Sequence, residues 1–163
     1  MRLTVFLCAA MLALPAAATD KPTAGQKIWF SGSEEIREGA SLIDRGLYQQ
    51  GIEVTRKALK GDLSIQDYAA GYNNLCSANL GLAEYDVAME FCERALKIRK
   101  NMPEALNNVG NIHFFKGDFR TAVDFYKRAL RSKPFDDLIM GNLMLAQRRL
   151  DSEKAPAGGA AAG

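Results

Sequence analysis

The stretch PEALNNVGNIHFFKGDFRTAVDFYKRALRSKP, residues 103–134, decides the fold, because the chain carries it twice. Thirty-four residues upstream, residues 69–100 read AAGYNNLCSANLGLAEYDVAMEFCERALKIRK. Asn73-Asn74 falls on Asn107-Asn108, Tyr85 on Phe119, Ala88 on Ala122, and Arg94-Ala95-Leu96 on Arg128-Ala129-Leu130. Small and large apolar types agree as well as polarity. A weaker third copy lies before them: Gly46-Leu47-Tyr48 matches Gly117-Asp118-Phe119, and Arg56-Lys57-Ala58-Leu59 matches Lys127-Arg128-Ala129-Leu130. A period of this size is the signature of a stacked-repeat architecture.

Each copy reads as two helices. Leu106, Val109, Gly110, His113 and Phe114 fall on one helical stripe, and Phe119, Ala122, Val123, Tyr126, Ala129 and Leu130 on a second. Lys116-Gly117-Asp118 is the turn between them. An antiparallel pair of short amphipathic helices cannot bury its apolar stripe alone, and stacked neighbours do so as a solenoid. The fold expected is all-α: about three hairpins at 32–65, 69–102 and 103–136, with a capping helix at 137–151. On the cap, Gln147, Arg148 and Arg149 are expected toward water and Met140 and Met144 at an open end. Residues 152–163, rich in Ala and Gly, have nothing to bury and are expected as a disordered tail.

The flanks carry a different signal. Arg2 precedes an apolar run that ends at Leu14, followed by Pro15 and Ala16-Ala17-Ala18. A charged start, a short apolar core and small residues at the end form a secretory signal peptide, assigned to residues 1–18. The mature protein is then expected in the periplasm or secreted, without a membrane span. In residues 19–31, Trp29-Phe30 is expected against the open face of the first hairpin, and Ser31 with Glu34 as a capping box.

Cleavage there leaves two of the three cysteines, Cys76 and Cys92, in an oxidising compartment. Each is eight residues from Glu84, so the two share one height in the hairpin, and each lies on its helix's apolar stripe. A structural disulfide is expected. Two buried free thiols and a redox-active pair are the alternatives.

The 103–134 copy resembles the tetratricopeptide repeat through Leu106, Val109-Gly110, His113, Gly117, Phe119, Ala122, Tyr126, Ala129 and Pro134. The 69–102 copy is similar through Tyr72, Leu75, Tyr85, Ala88 and Ala95. It departs at Cys76, where the family favours a small residue, at Cys92, where it favours an aromatic, and at Lys100, where it closes with Pro. The first copy has Gly51 where Ala is usual. The resemblance implies a right-handed superhelical solenoid that binds a protein or peptide on its concave face. On the first helix of each hairpin, residues beside the buried stripe are the candidate groove: Asn73, Asn74 and Ser77, then Asn107, Asn108, Asn111, Phe114 and Phe115, with Asn142 on the cap. Side-chain amides both donate and accept, which suits the backbone of an extended peptide. Some co-chaperones of this family clamp a peptide's terminal carboxylate with cations. Here Asn107 and Asn108 stand at those places, and Arg148 and Arg149 are the only basic residues expected near the groove.

Other functions find little support. A formal charge of +2 with no basic run disfavours nucleic acid. No metalloprotease, serine-hydrolase, P-loop or dinucleotide motif occurs. The single histidine, His113, is expected as a packed core residue. The expectation is therefore no enzymatic activity, metal, cofactor or small-molecule substrate. A periplasmic adaptor leads. The alternatives are a structural subunit of an envelope assembly or self-associating solenoid, and a redox-linked chaperone.

Overall fold

The computed structural model describes residues 32–154. The expected leader, the segment carrying Trp29, Phe30 and Ser31, and the tail from residue 155 lie outside the described residues. The described part is helical throughout: α1 Gly32–Asp44, α2 Tyr48–Ala58, α3 Ile65–Gly81, α4 Tyr85–Ile98, α5 Pro103–Phe115, α6 Phe119–Ser132 and α7 Asp137–Lys154. Helices pair as α1/α2, α3/α4 and α5/α6, and α7 packs on α6.

The three hairpin turns share one device. The chain reverses through a left-handed backbone at Gly46 (φ 76°), Ala83 (φ 59°) and Gly117 (φ 82°). Glycine adopts this without strain, so two of the turns are what the sequence favours; Ala83 carries a Cβ in the same place. Side chains mark helix starts. Ser64 accepts from the Asp67 N–H, Asp118 from Thr121 and Asp136 from Ile139, each satisfying a donor the helix leaves open.

The core runs lengthwise in clusters at the junctions between helices. Ile43, Ile52, Leu75 and Ala78 join α1, α2 and α3. Cys76, Ala88, Cys92, Val109 and Ile112 join α3, α4 and α5. Leu106, Val123, Tyr126, Ile139 and Ala146 join α5, α6 and α7. Close approach at the last junction depends on Gly110, where a Cβ would come within 2.5 Å of the Tyr126 ring. The repeated arginines have a packing role: Arg94 lies 5.4 Å over the Phe91 ring and Arg128 4.7 Å over Phe125.

Three expectations are corrected. The cap does not stop near Asp151 but continues to Lys154, so the first residues assigned to the tail are helical. His113 is not a packed core residue: its side chain is 25% exposed. It stacks on Phe125 at 5.6 Å, with Nδ1 3.2 Å from Asp118 Oδ2. His113 lies in the last turn of α5 beside Asp118, whereas the buried face of α5, which takes in Ala105, Asn107, Asn108 and Ile112, ends one residue before it. Phe114 belongs with that packing too, half-buried against the Leu106–Tyr126 cluster and edge-on to Phe119 at 5.2 Å.

Candidate peptide-binding groove

Helices α1, α3, α5 and α7 lie side by side along one face, each contacting the next. The helical period sets what α5 presents there. Glu104, Asn108, Asn111 and Phe115 fall at i, i+4, i+7 and i+11, a single stripe. The 34-residue repeat places Ala70, Asn74, Ser77 and Gly81 at the same registers on α3, and Leu138, Asn142, Leu145 and Arg149 on α7.

The asparagines form a connected row across these helices. Asn74 Nδ2 donates to the Ile36 carbonyl of α1 at 2.8 Å. Asn108 Nδ2 donates to Asn73 Oδ1 at 3.1 Å, tying α5 to α3. Asn142 Nδ2 lies 2.9 Å from Asn107 Oδ1 and 3.2 Å from Asn111 Oδ1, tying α7 to α5. Asn111 Oδ1 also accepts from the Tyr126 hydroxyl at 2.7 Å. Burial pushes the Tyr126 hydroxyl well above its ordinary value, so it stays a neutral donor.

This bonding sorts the amides by role. Asn74, Asn107 and Asn108 are buried, and their bonds join neighbouring repeats. The carboxamide oxygens of Asn73, Asn107 and Asn111 are taken by neighbours. Asn73 and Asn111 are half-buried, and each keeps an NH2 group that donates in no bond among the described residues. A row of N–H donors suits the carbonyls of an extended chain.

Two adjoining clefts open over this row. One, of about 400 Å³, is lined by Tyr48, Ser77, Leu80, Asn111, Phe115 and Asn142, among others. The second, of about 270 Å³, adds Asn73, Glu104, Lys133, Asp136 and Ile139. Asp44, Ser77, Asn107, Asn108 and Leu138 line both. Phe115 is 60% exposed and stacks on Tyr85 at 5.9 Å, so its ring is fixed while one side stays open. Leu138, at the register of Glu104, is 69% exposed.

Asn73, Ser77, Asn107, Asn108, Asn111, Phe115 and Asn142 thus come together, whereas Asn74 and Phe114 turn to packing. Several lining residues escaped the sequence reading. Glu104 and Leu138 share the register of Ala70, and the 34-residue spacing would have found them. Asp44 and Tyr48 come from the weaker first copy, where the match of Gly46 to Gly117 puts Asp44 at the register of Phe115 and Tyr48 at that of Phe119. The basic residues also differ from expectation. Lys133 lines the groove, 2.7 Å from Asp136, while Arg148 lines a separate cleft with Lys127 and Met144 at the outer side of α7.

Cys76 and Cys92 are bonded, with Cα atoms 5.1 Å apart. Both are wholly buried between α3, α4 and α5.

Residues 69–102 and 103–136 each match the family described as tetratricopeptide repeat. Sperm-associated antigen 1 of Rattus norvegicus is 26% identical over 125 residues, covering 77% of this chain and 14% of its own length. The photosystem I assembly protein Ycf3 of Cyanophora paradoxa is 25% identical over 112 residues, covering 60% of this chain and 65% of its own. The chain therefore spans less than two thirds of these relatives. Among solved structures, the first such domain of human RPAP3 superposes with a TM-score of 0.66 at 21% identity, covering 76% of this chain and 95% of that one. The first such domain of Spaghetti (RPAP3), bound to the HSP90 peptide SRMEEVD, superposes with a TM-score of 0.66 at 20% identity, covering 74% and 96%. Residues 69–136 thus carry two tetratricopeptide repeats, set in a helical solenoid.

Proposed function

We propose that this protein is an exported interaction module, a periplasmic adaptor or scaffold that holds an extended segment of a partner protein in the groove lined by α3, α5 and α7. The observation that carries this reading is the row of asparagines whose oxygens are occupied and whose NH2 groups at Asn73 and Asn111 are left to donate. Partner carbonyls bonded there would place a side chain against Phe115, Leu80 and Tyr48. Peptide binding by similar domains supports the reading. The bonded cysteines and the leader-like residues 1–18 support an oxidising compartment.

The bond geometry dictates the experiment. Replacing the asparagines by Ala would break contacts between repeats along with any groove contact. Ser77→Arg with Phe115→Arg fills the groove from two accessible positions instead. A cross-linking pulldown from envelope extract should yield discrete partners with the parent chain and with Glu90→Arg on α4. Those partners should vanish with the groove variant at unchanged helicity. Partners retained by the groove variant would rule the groove out.

One observation favours a second reading, a subunit that assembles through its end. Met140, Met144 and Leu145 are exposed on α7, Met144 at 63%. Concentration-dependent mass in light scattering, abolished by Met144→Lys, would support it. The redox-linked chaperone is disfavoured because exchange needs an accessible sulfur, and both sulfurs are buried.

A further inference from the structure

We infer that the groove selects a partner segment carrying a Lys or Arg about five residues from a bulky apolar side chain, and that it rejects acidic peptide ends. This rests on the groove reading above and specifies its ligand.

The charge balance comes first. Four charged residues line the two clefts: Asp44, Glu104, Asp136 and Lys133. The only cation, Lys133, is bonded to Asp136 at 2.7 Å, and Asp136 followed by Glu104 pushes its ammonium pKa up. It is already committed to anions. Neither Asp44 nor Glu104 makes an ion pair among the described residues, and Lys133, on which Glu104 acts, is bonded to Asp136. The clefts are thus net acidic, which attracts a cation and repels a carboxylate.

Geometry sets the spacing. Glu104 and Phe115 sit on one stripe of α5, 11 residues apart. At the α-helical rise that is about 16 Å. An extended chain covers that distance in about five residues. The aromatic end is built for an apolar side chain: Phe115 is pinned by Tyr85 and Phe114, with Tyr48 and Leu80 behind it. Between the two ends, the NH2 groups of Asn73 and Asn111 meet backbone carbonyls, which fixes an extended chain without reading its sequence. Nothing in the clefts offers a free cation to a terminal carboxylate.

The test is selection from a random dodecapeptide display library on the immobilised full chain, with the acidic heptapeptide SRMEEVD measured separately as a fluorescent probe. Selected sequences should pair Lys or Arg with Leu, Phe or Met four to six positions away, and SRMEEVD should not bind. Asp44→Lys with Glu104→Lys, both at exposed positions, should retain parental helicity and weaken the selected peptides about 4- to 25-fold, from two- to fivefold per lost pair. The affinity should also fall with added salt for the parent chain alone. Selection of acidic or uncharged peptides that Phe115→Arg still abolishes would overturn the charge assignment and leave the groove standing. Peptides that bind Phe115→Arg as well as the parent chain, or no enrichment at all, would overturn both.

Discussion

Ala83 holds the left-handed backbone that Gly46 and Gly117 hold in the other two turns, and it alone pays for a Cβ there. Ala83→Gly should therefore raise stability by about 1 kcal/mol in urea unfolding. Gly110 is the opposite case. A methyl group would strike the Tyr126 ring, so Gly110→Ala should cost about 1–3 kcal/mol despite the better helix propensity of Ala. Tyr126 itself links core to groove through its bond to Asn111. Tyr126→Phe should lose about 1 kcal/mol at neutral pH. Because burial raises the phenol's folded pKa, its contribution is intact below the unfolded value near pH 10 and is lost as pH rises beyond it. The parent chain should lose stability from about pH 10 upward in a pH series of melts, and the Phe variant less. At this scale the sequence was legible where a residue type has one use. Gly117 announced its turn, whereas Ala83 did not, because alanine carries no signal for a left-handed backbone. His113 and Phe114 misled for another reason: the apolar stripe continues through the last turn of α5, but full burial ends at Ile112.

The disulfide acts at the scale of the element, locking α3 to α4 across their turn. Closing this loop, with cysteines 16 apart in sequence, should be worth about 3 kcal/mol. Reduction in urea, or Cys76→Ser with Cys92→Ser, should lower stability by that order, and native protein should resist mild reductant because the sulfurs are buried. The pairing was readable from sequence because both cysteines sit eight residues from Glu84 on stripes that face each other. The length of α7 was not. Ser152–Lys154 have no apolar partner that would mark a boundary, and their helix continues by propensity from the preceding turns.

At the scale of the whole molecule, α7 completes the core and the groove together. Ile139 and Ala146 cover Leu106, Val123 and Tyr126, while Leu138 and Asn142 form one wall of the clefts. A chain ending at Ser132 should expose that cluster and aggregate or melt without a cooperative transition, read by light scattering and circular dichroism. The 34-residue period made the architecture legible, since it fixes both the hairpin and its stacking. The positions of the groove asparagines followed from it. Their bonding did not, because an amide's partner lies on the next repeat and depends on how closely the helices approach.

The most direct measurement is site-specific photo-cross-linking in envelope extract, with a benzophenone side chain at position 115 in one variant and at position 90 on α4 in another. The account predicts a discrete partner adduct from 115 and none from 90, with the cross-linked peptide of the partner lying in an extended, Lys- or Arg-containing segment. Adducts from 90 without any from 115 would contradict it and move the binding surface off the asparagine row.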